Sequence, residues 1–128
     1  MLNTFGVLVV DDHQGTLDVV SRGLEARGMR VRTATSVLRA LEALHDGSPR
    51  PALIITDLIM PRTNGWDFLK HLRREPLLRS LPIVVITGGD PSAVEELADA
   101  VLLKPFDLAE LADTVQSLVR GPSAAPPA

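Results

Sequence analysis

Five short apolar runs, mostly β-branched, recur along the chain at 7–10, 29–33, 53–56, 83–86 and 101–103. They read as buried strands. The segments between them carry helical spacing. Leu17, Val20 and Leu24 fall on one face of a first helix, and Val37, Leu41 and Leu44 on one face of a second, with Gly28 and Gly47 placed to end them. Asn64 can cap a third helix that continues through Leu69 and Leu72. Asp90 followed by Pro91 reads as a cap and a first-turn proline for a fourth. Asp107, three residues before Glu110, opens a fifth that buries Leu108, Leu111, Val115 and Leu118.

Strict βα alternation calls for a parallel sheet with right-handed crossovers and helices on both faces. Five units are too few to close a β/α barrel, so the expected fold is an open, doubly wound α/β sheet of five strands with five helices. One domain is expected over residues 1–120. Residues 121–128, rich in alanine and proline, have neither periodicity nor bulky apolar side chains and read as a flexible tail.

Composition narrows the class. With 45% hydrophobic and 23% charged residues the chain suits a folded protein, and the lack of cysteine excludes disulfides and thiolate chemistry. A net charge of −3 supplies no field for attracting nucleic acid or anionic lipid. Neither a basic leader nor a run of membrane-spanning length is evident, so a soluble cytoplasmic protein is expected, with no membrane and no direct nucleic-acid partner. Positive charge comes from eleven arginines and only two lysines, Lys70 and Lys104, so each lysine stands out.

The strands of a parallel sheet end on one edge, where such folds bind ligands. Asp11 and Asp12 follow the first run, Asp57 the third, Thr87 the fourth and Lys104 the fifth. Three carboxylates gathered in one crevice repel one another by about 4 kcal/mol per pair at 4 Å with an effective dielectric near 20. Lys104 offers one compensating charge and a hard divalent cation two; an oxygen-only donor set without histidine or cysteine favours Mg²⁺. A carboxylate among Mg²⁺, a lysine and a hydroxyl suits a phosphoryl group, whose oxygens the cations neutralise. Taken singly, the acidic pair could be a helix cap, Thr87 a turn residue before Gly88 and Gly89, and Lys104 a surface lysine; joint placement at four strand ends is what carries weight.

Together, Val9-Val10-Asp11-Asp12, Asp57-Leu58-Ile59-Met60-Pro61 with Gly65 eight residues past the aspartate, Ile86-Thr87-Gly88 and Lys104-Pro105-Phe106 resemble the response-regulator receiver family, in the right order from about Val7 to Arg120. The resemblance implies a flavodoxin-like strand order 2-1-3-4-5. It implies Asp57 as phosphoacceptor, taking its group from a sensor histidine kinase or a histidine phosphotransfer protein and altering the binding of a downstream protein target. Asp12 would ligate Mg²⁺ directly and Asp11 directly or through water, with Asp57 and the backbone carbonyl of Ile59 completing the protein ligands. Lys104 would pair with Asp57, Thr87 would donate to a phosphoryl oxygen after transfer, and the bond before Pro105 would be cis.

Two departures concern output. Val101 stands where receivers commonly carry an aromatic residue, and the stretch between Thr87 and Lys104 is shorter than usual, with room for about two helical turns up to Ala98. These keep open an alternative, a docking module of receiver fold that works without phosphorylation. An aspartyl-phosphate phosphatase is a weaker alternative, because Ile59 occupies the place where that chemistry wants a second carboxylate. No glycine-rich phosphate loop supports nucleotide binding. The basic cluster Lys70, His71, Arg73, Arg74 and Arg79 reads as a solvated face, Trp66 as a packing residue, and His13 as no metal ligand.

Overall fold

The computed structural model describes residues 4–60, 63–90, 92 and 94–120. In chain order the elements are β1 (Thr4–Val10), α1 (Gln14–Glu25), β2 (Val31–Ala34), α2 (Val37–His45), β3 (Arg50–Asp57), β4 (Ile59–Met60), β5 (Thr63–Asn64), α3 (Gly65–Arg74), β6 (Ile83–Thr87), β7 (Ala100–Leu103) and α4 (Leu108–Arg120). Each of the five apolar runs therefore belongs to a strand. Those five strands form one sheet in the order β2-β1-β3-β6-β7, parallel throughout, which is the flavodoxin-like order 2-1-3-4-5 when only the sheet strands are counted. β4 and β5 form a separate antiparallel pair beyond the end of β3.

Alternation along the strands divides the core into two layers. Leu8, Val10, Ile54 and Val85 face α2 and α3, meeting Ala40, Leu44, Phe68 and Leu72. Val7, Val9, Leu53, Ile55, Val84 and Ile86 face the other way, onto Leu17, Val20 and Leu24 of α1 and Leu111 and Val115 of α4. Both faces of the central strands are covered, which is why their sequences read as unbroken apolar runs. Gly28 and Gly47 sit at φ of 84° and 89° just past α1 and α2, the left-handed geometry that ends a helix at little cost to glycine. Asp107 caps α4 as its spacing suggested, its carboxylate accepting the Ala109 and Glu110 amides at 2.8 and 3.2 Å.

The fourth of the five helices expected from the sequence is missing: the described residues hold four α-helices, and where that helix was expected they show a turn at 94–97. Leu97 and Ala98 both donate to the Val94 carbonyl at 2.9 Å, and nothing longer develops before β7. Pro91 lies outside the described residues, while the Asp90 carboxylate folds back on Ser92, accepting its amide at 2.9 Å and its hydroxyl at 2.7 Å. The exit of the turn is tied down from both sides, Arg73 Nε donating to the Leu97 carbonyl at 2.9 Å and the Asp99 amide to the Ile83 carbonyl at 2.8 Å. Val94 is buried beneath the turn, with Leu97, Ala98 and Val101 packed against the same cluster. The expected tail, residues 121–128, lies outside the described residues. Among those described, no helix is long and apolar enough to cross a membrane.

Candidate functional site

The site is assembled from four strand ends. Asp11 follows β1, Asp57 closes β3, Thr87 closes β6 and Lys104 follows β7, so parallel pairing alone brings together residues 93 positions apart. Carboxylate oxygens of Asp11, Asp12 and Asp57 lie within 4.8 Å of one another. Asp11 and Asp57 are 3% and 7% exposed and Asp12 is open to solvent, so the cluster is a crevice with one wet side. The Lys104 ammonium donates to Asp57 Oδ2 at 2.6 Å and stands 3.9 Å from Asp11 Oδ2. Asp57 is held from behind, where the buried Thr56 hydroxyl donates to its backbone carbonyl at 2.9 Å.

Electrostatics follow the geometry. Burial raises the Asp11 carboxyl above its ordinary value of 3.8; the His13 amide and Lys104 oppose this, and the charges of Asp57 and Asp12 add to it. Partial burial alone would lower Lys104, but its hydrogen bond to Asp57 and the charges of Asp57, Asp11 and Asp12 outweigh it and hold the ammonium above 10.5. An all-oxygen cluster of three carboxylates, two of them desolvated, fits a hard divalent cation such as Mg²⁺.

The remaining predicted positions fall around this cluster. Thr87 is fully buried, and its hydroxyl oxygen accepts the Gly89 amide at 3.1 Å; its carbonyl accepts the Lys104 amide at 2.9 Å, tying the two strand ends together. Ile59 lies in β4, opposite Asn64, two residues beyond Asp57. Gly65 brings α3 against that segment: its amide donates to the Leu58 carbonyl at 3.2 Å, and a Cβ there would stand 2.2 Å from the same oxygen. Only glycine allows this approach. The Lys104–Pro105 bond is cis, as the resemblance implied.

Two residues do more than their sequence context suggested. The His13 imidazole caps α1, Nδ1 accepting the Thr16 amide at 3.2 Å, while its own amide holds Asp11 Oδ1 at 2.8 Å. Histidine is an uncommon cap, so residue preference gave no signal. Arg73, expected on a solvated face, is largely covered and its guanidinium makes four hydrogen bonds, described below. Lys70, Arg74 and Arg79 are exposed as expected, whereas His71 is half-buried against His45, ring centroids 6.0 Å apart. Trp66 is half-buried against the α2–α3 side of the core.

A doubly wound sheet with a lysine-paired carboxylate crevice at its C-terminal edge defines a protein of the signal-receiver class. The model of the response regulator receiver domain family matches residues 7–116. Response regulator Rre1 of Synechocystis sp. is 34% identical over 125 residues, covering 93% of this chain and 53% of that protein. Two-component response regulator ORR5 of Oryza sativa subsp. japonica is 32% identical over 119 residues, covering 89% of this chain and 88% of that one. The crystal structure of the chemotaxis protein CheY4 of Vibrio cholerae superposes with a TM-score of 0.78 at 30% identity, over 91% of this chain and 98% of the other. The chain belongs to the response regulator receiver family of two-component signalling. It spans about half the length of several curated relatives, 53% of Rre1 and 51% of the phosphate regulon regulator PhoB of Escherichia coli.

Proposed function

We propose that this receiver accepts a phosphoryl group on Asp57 in a Mg²⁺-dependent reaction, the donor being a phosphohistidine on a sensor histidine kinase or a histidine phosphotransfer protein. The observation that carries the proposal is the 2.6 Å contact between Lys104 and Asp57 inside a cluster of three carboxylates. An Asp57 carboxylate oxygen attacks phosphorus in line; a P–O bond forms, the P–N bond breaks, and the imidazole leaves and takes up a proton. Asp11, Asp12, Asp57 and the Ile59 carbonyl would hold Mg²⁺, which when bound neutralises phosphoryl oxygens. Lys104 turns from the carboxylate to the acyl phosphate that replaces it, and the Thr87 hydroxyl donates to a phosphoryl oxygen. A groove of about 560 Å³ lined by His13, Thr16, Val19, Lys104, Phe106 and Leu108 opens beside the lysine and offers the donor an apolar approach. The phosphorylated receiver then binds a downstream protein target, in the cytoplasm, with residues 1–120 acting as the receiver unit.

Incubation with acetyl phosphate and Mg²⁺, read by intact mass, tests this reading. Wild type is expected to gain one phosphoryl group that Asp57→Asn does not. Equal labelling of the two would overturn the assignment, and no labelling of wild type by acetyl phosphate or by a histidine kinase would favour docking without phosphorylation. That second reading draws on the replacement of the fourth helix by one turn and on Val101, half-buried against it, which provides no aromatic ring to report the state of Thr87.

A further inference from the structure

β6 and β7 are stapled at both ends. At the site end the Lys104 amide donates to the Thr87 carbonyl. At the far end Asp99 closes a two-point lock on Ile83: its amide donates to the Ile83 carbonyl at 2.8 Å, and its Oδ2 accepts the Ile83 amide at 2.7 Å. Arg73, from the last turn of α3, holds that lock in place. Nη2 donates to Asp99 Oδ2, Nε to the Leu97 carbonyl, and Nη1 to the carbonyls of Arg79 and Leu81, each at 2.9 Å. One guanidinium thus joins α3, the chain entering β6 and the chain entering β7, using four of its donor directions.

We propose that Arg73 and Asp99 are positioning residues for the phosphoryl site, fixing the β6–β7 register from the opposite end of the sheet and thereby placing Thr87 and Lys104. β7 is an edge strand of four residues, and the described residues leading to it show a turn at 94–97 in place of a helix, so the lock works beside the buried Leu102 in setting where it starts. Register matters because a slip of one residue turns every side chain of a strand to the other face. Sliding β7 by one would put Leu103 or Pro105 where Lys104 meets Asp57. The lock and the site are five residues apart along β7, about 16 Å of extended chain, and neither Arg73 nor Asp99 touches the carboxylate cluster. The catalytic consequence rests on the reading of Asp57, Thr87 and Lys104 given above; the structural one does not.

The test compares Arg73→Gln, Arg73→Lys and Asp99→Asn with wild type. Hydrogen exchange of the β7 amides, including those of Asp99 and Lys104, should accelerate about tenfold or more in Arg73→Gln, the equivalent of one charge-assisted hydrogen bond. Exchange in β1 and β3 should change less than about twofold, because those strands lie away from the lock. Labelling of Asp57 by acetyl phosphate at saturating Mg²⁺ should slow in Arg73→Gln, and the same substitution in a background lacking both groups, Lys104→Met with Thr87→Ala, should slow it no further. Asp99→Asn retains an acceptor for Ile83 but loses the charge, so it should fall between; it also serves if Arg73→Gln fails to fold. Wild-type exchange in β7 of a folded variant overturns the proposal. Uniform acceleration across all strands, or losses that multiply in the background lacking both groups, overturns it in favour of general destabilisation. Should wild type take no label at all, the phosphoryl reading fails while the exchange pattern still decides the register claim.

Discussion

Replacing Lys104 by methionine removes a cation that stands 2.6 Å from Asp57 and 3.9 Å from Asp11 while keeping much of the side-chain volume. With an effective dielectric near 20 those two attractions amount to about 6 and about 4 kcal/mol before desolvation is counted. The lysine side chain is 34% exposed, so most of that gross attraction is offset by desolvation and solvent screening. Exposed pairs contribute about 0–1 kcal/mol and the breaking of buried pairs costs about 3–5, which places this one near 2 kcal/mol in the absence of divalent ions. Mg²⁺ draws on the same carboxylates and repels the ammonium, so in saturating Mg²⁺ the cost should shrink to about 0.6 kcal/mol or less. Linkage then requires the variant to bind Mg²⁺ about tenfold more tightly, since a difference near 1.4 kcal/mol must appear in the affinity. Urea unfolding followed by Trp66 fluorescence, with and without Mg²⁺, gives one side of the cycle and calorimetric titration of Mg²⁺ the other. A variant equally destabilised in both conditions, or one that binds Mg²⁺ no better than wild type, would show that lysine and ion do not share these carboxylates.

Acid should weaken Mg²⁺ binding at a pH above the ordinary aspartate range, because burial holds Asp11 above 3.8 and a protonated carboxyl is a poor ligand. For the ion-free protein the sign reverses: a raised folded-state value means Asp11 contributes stability fully below 3.8 and loses it as pH rises through the folded value. Asp11→Asn should therefore raise the urea midpoint of ion-free protein at pH 7 while lowering Mg²⁺ affinity; a lowered midpoint contradicts the burial account. Lys104, also raised, contributes fully below 10.5 and loses its contribution only in more alkaline solution. Gly65→Ala drives a Cβ to 2.2 Å from the Leu58 carbonyl oxygen and 2.8 Å from its carbon, backbone atoms that cannot turn aside. It should cost about 1–3 kcal/mol and weaken Mg²⁺ binding by displacing the segment that carries Ile59; unchanged denaturant midpoint and affinity would refute this.

The sheet was legible because burial on both faces leaves a plain trace, an unbroken apolar run, and the site was legible because parallel topology converts four separate strand ends into one place. Asp57 and Lys104 are 47 residues apart and still meet, through pairings that carry no local signal of their own but follow from the βα rhythm. The fourth helix failed for the complementary reason. Val94, Leu97 and Ala98 have the spacing of a helix face, and spacing says nothing of a group outside the segment that ties down its exit at the Leu97 carbonyl. That group is a side chain 24 residues upstream, on a helix end rich in other basic residues. Its acceptors are mostly backbone carbonyls, which every residue possesses and no residue type announces.

The Arg73 contacts also divide the site by mechanical origin. The carboxylates stand on β1 and β3, which are central, long and covered on both faces, so their placement is secured by the core itself. Thr87 stands on β6, which is buried throughout, but Lys104 follows a four-residue edge strand where burial falls off: Leu103 is half exposed and Val101 only half-buried. A helix in the usual place would cover that side by packing. Here one turn, one buried valine and a guanidinium with four acceptors replace it. A fork of directed hydrogen bonds to fixed carbonyls holds one position or releases it.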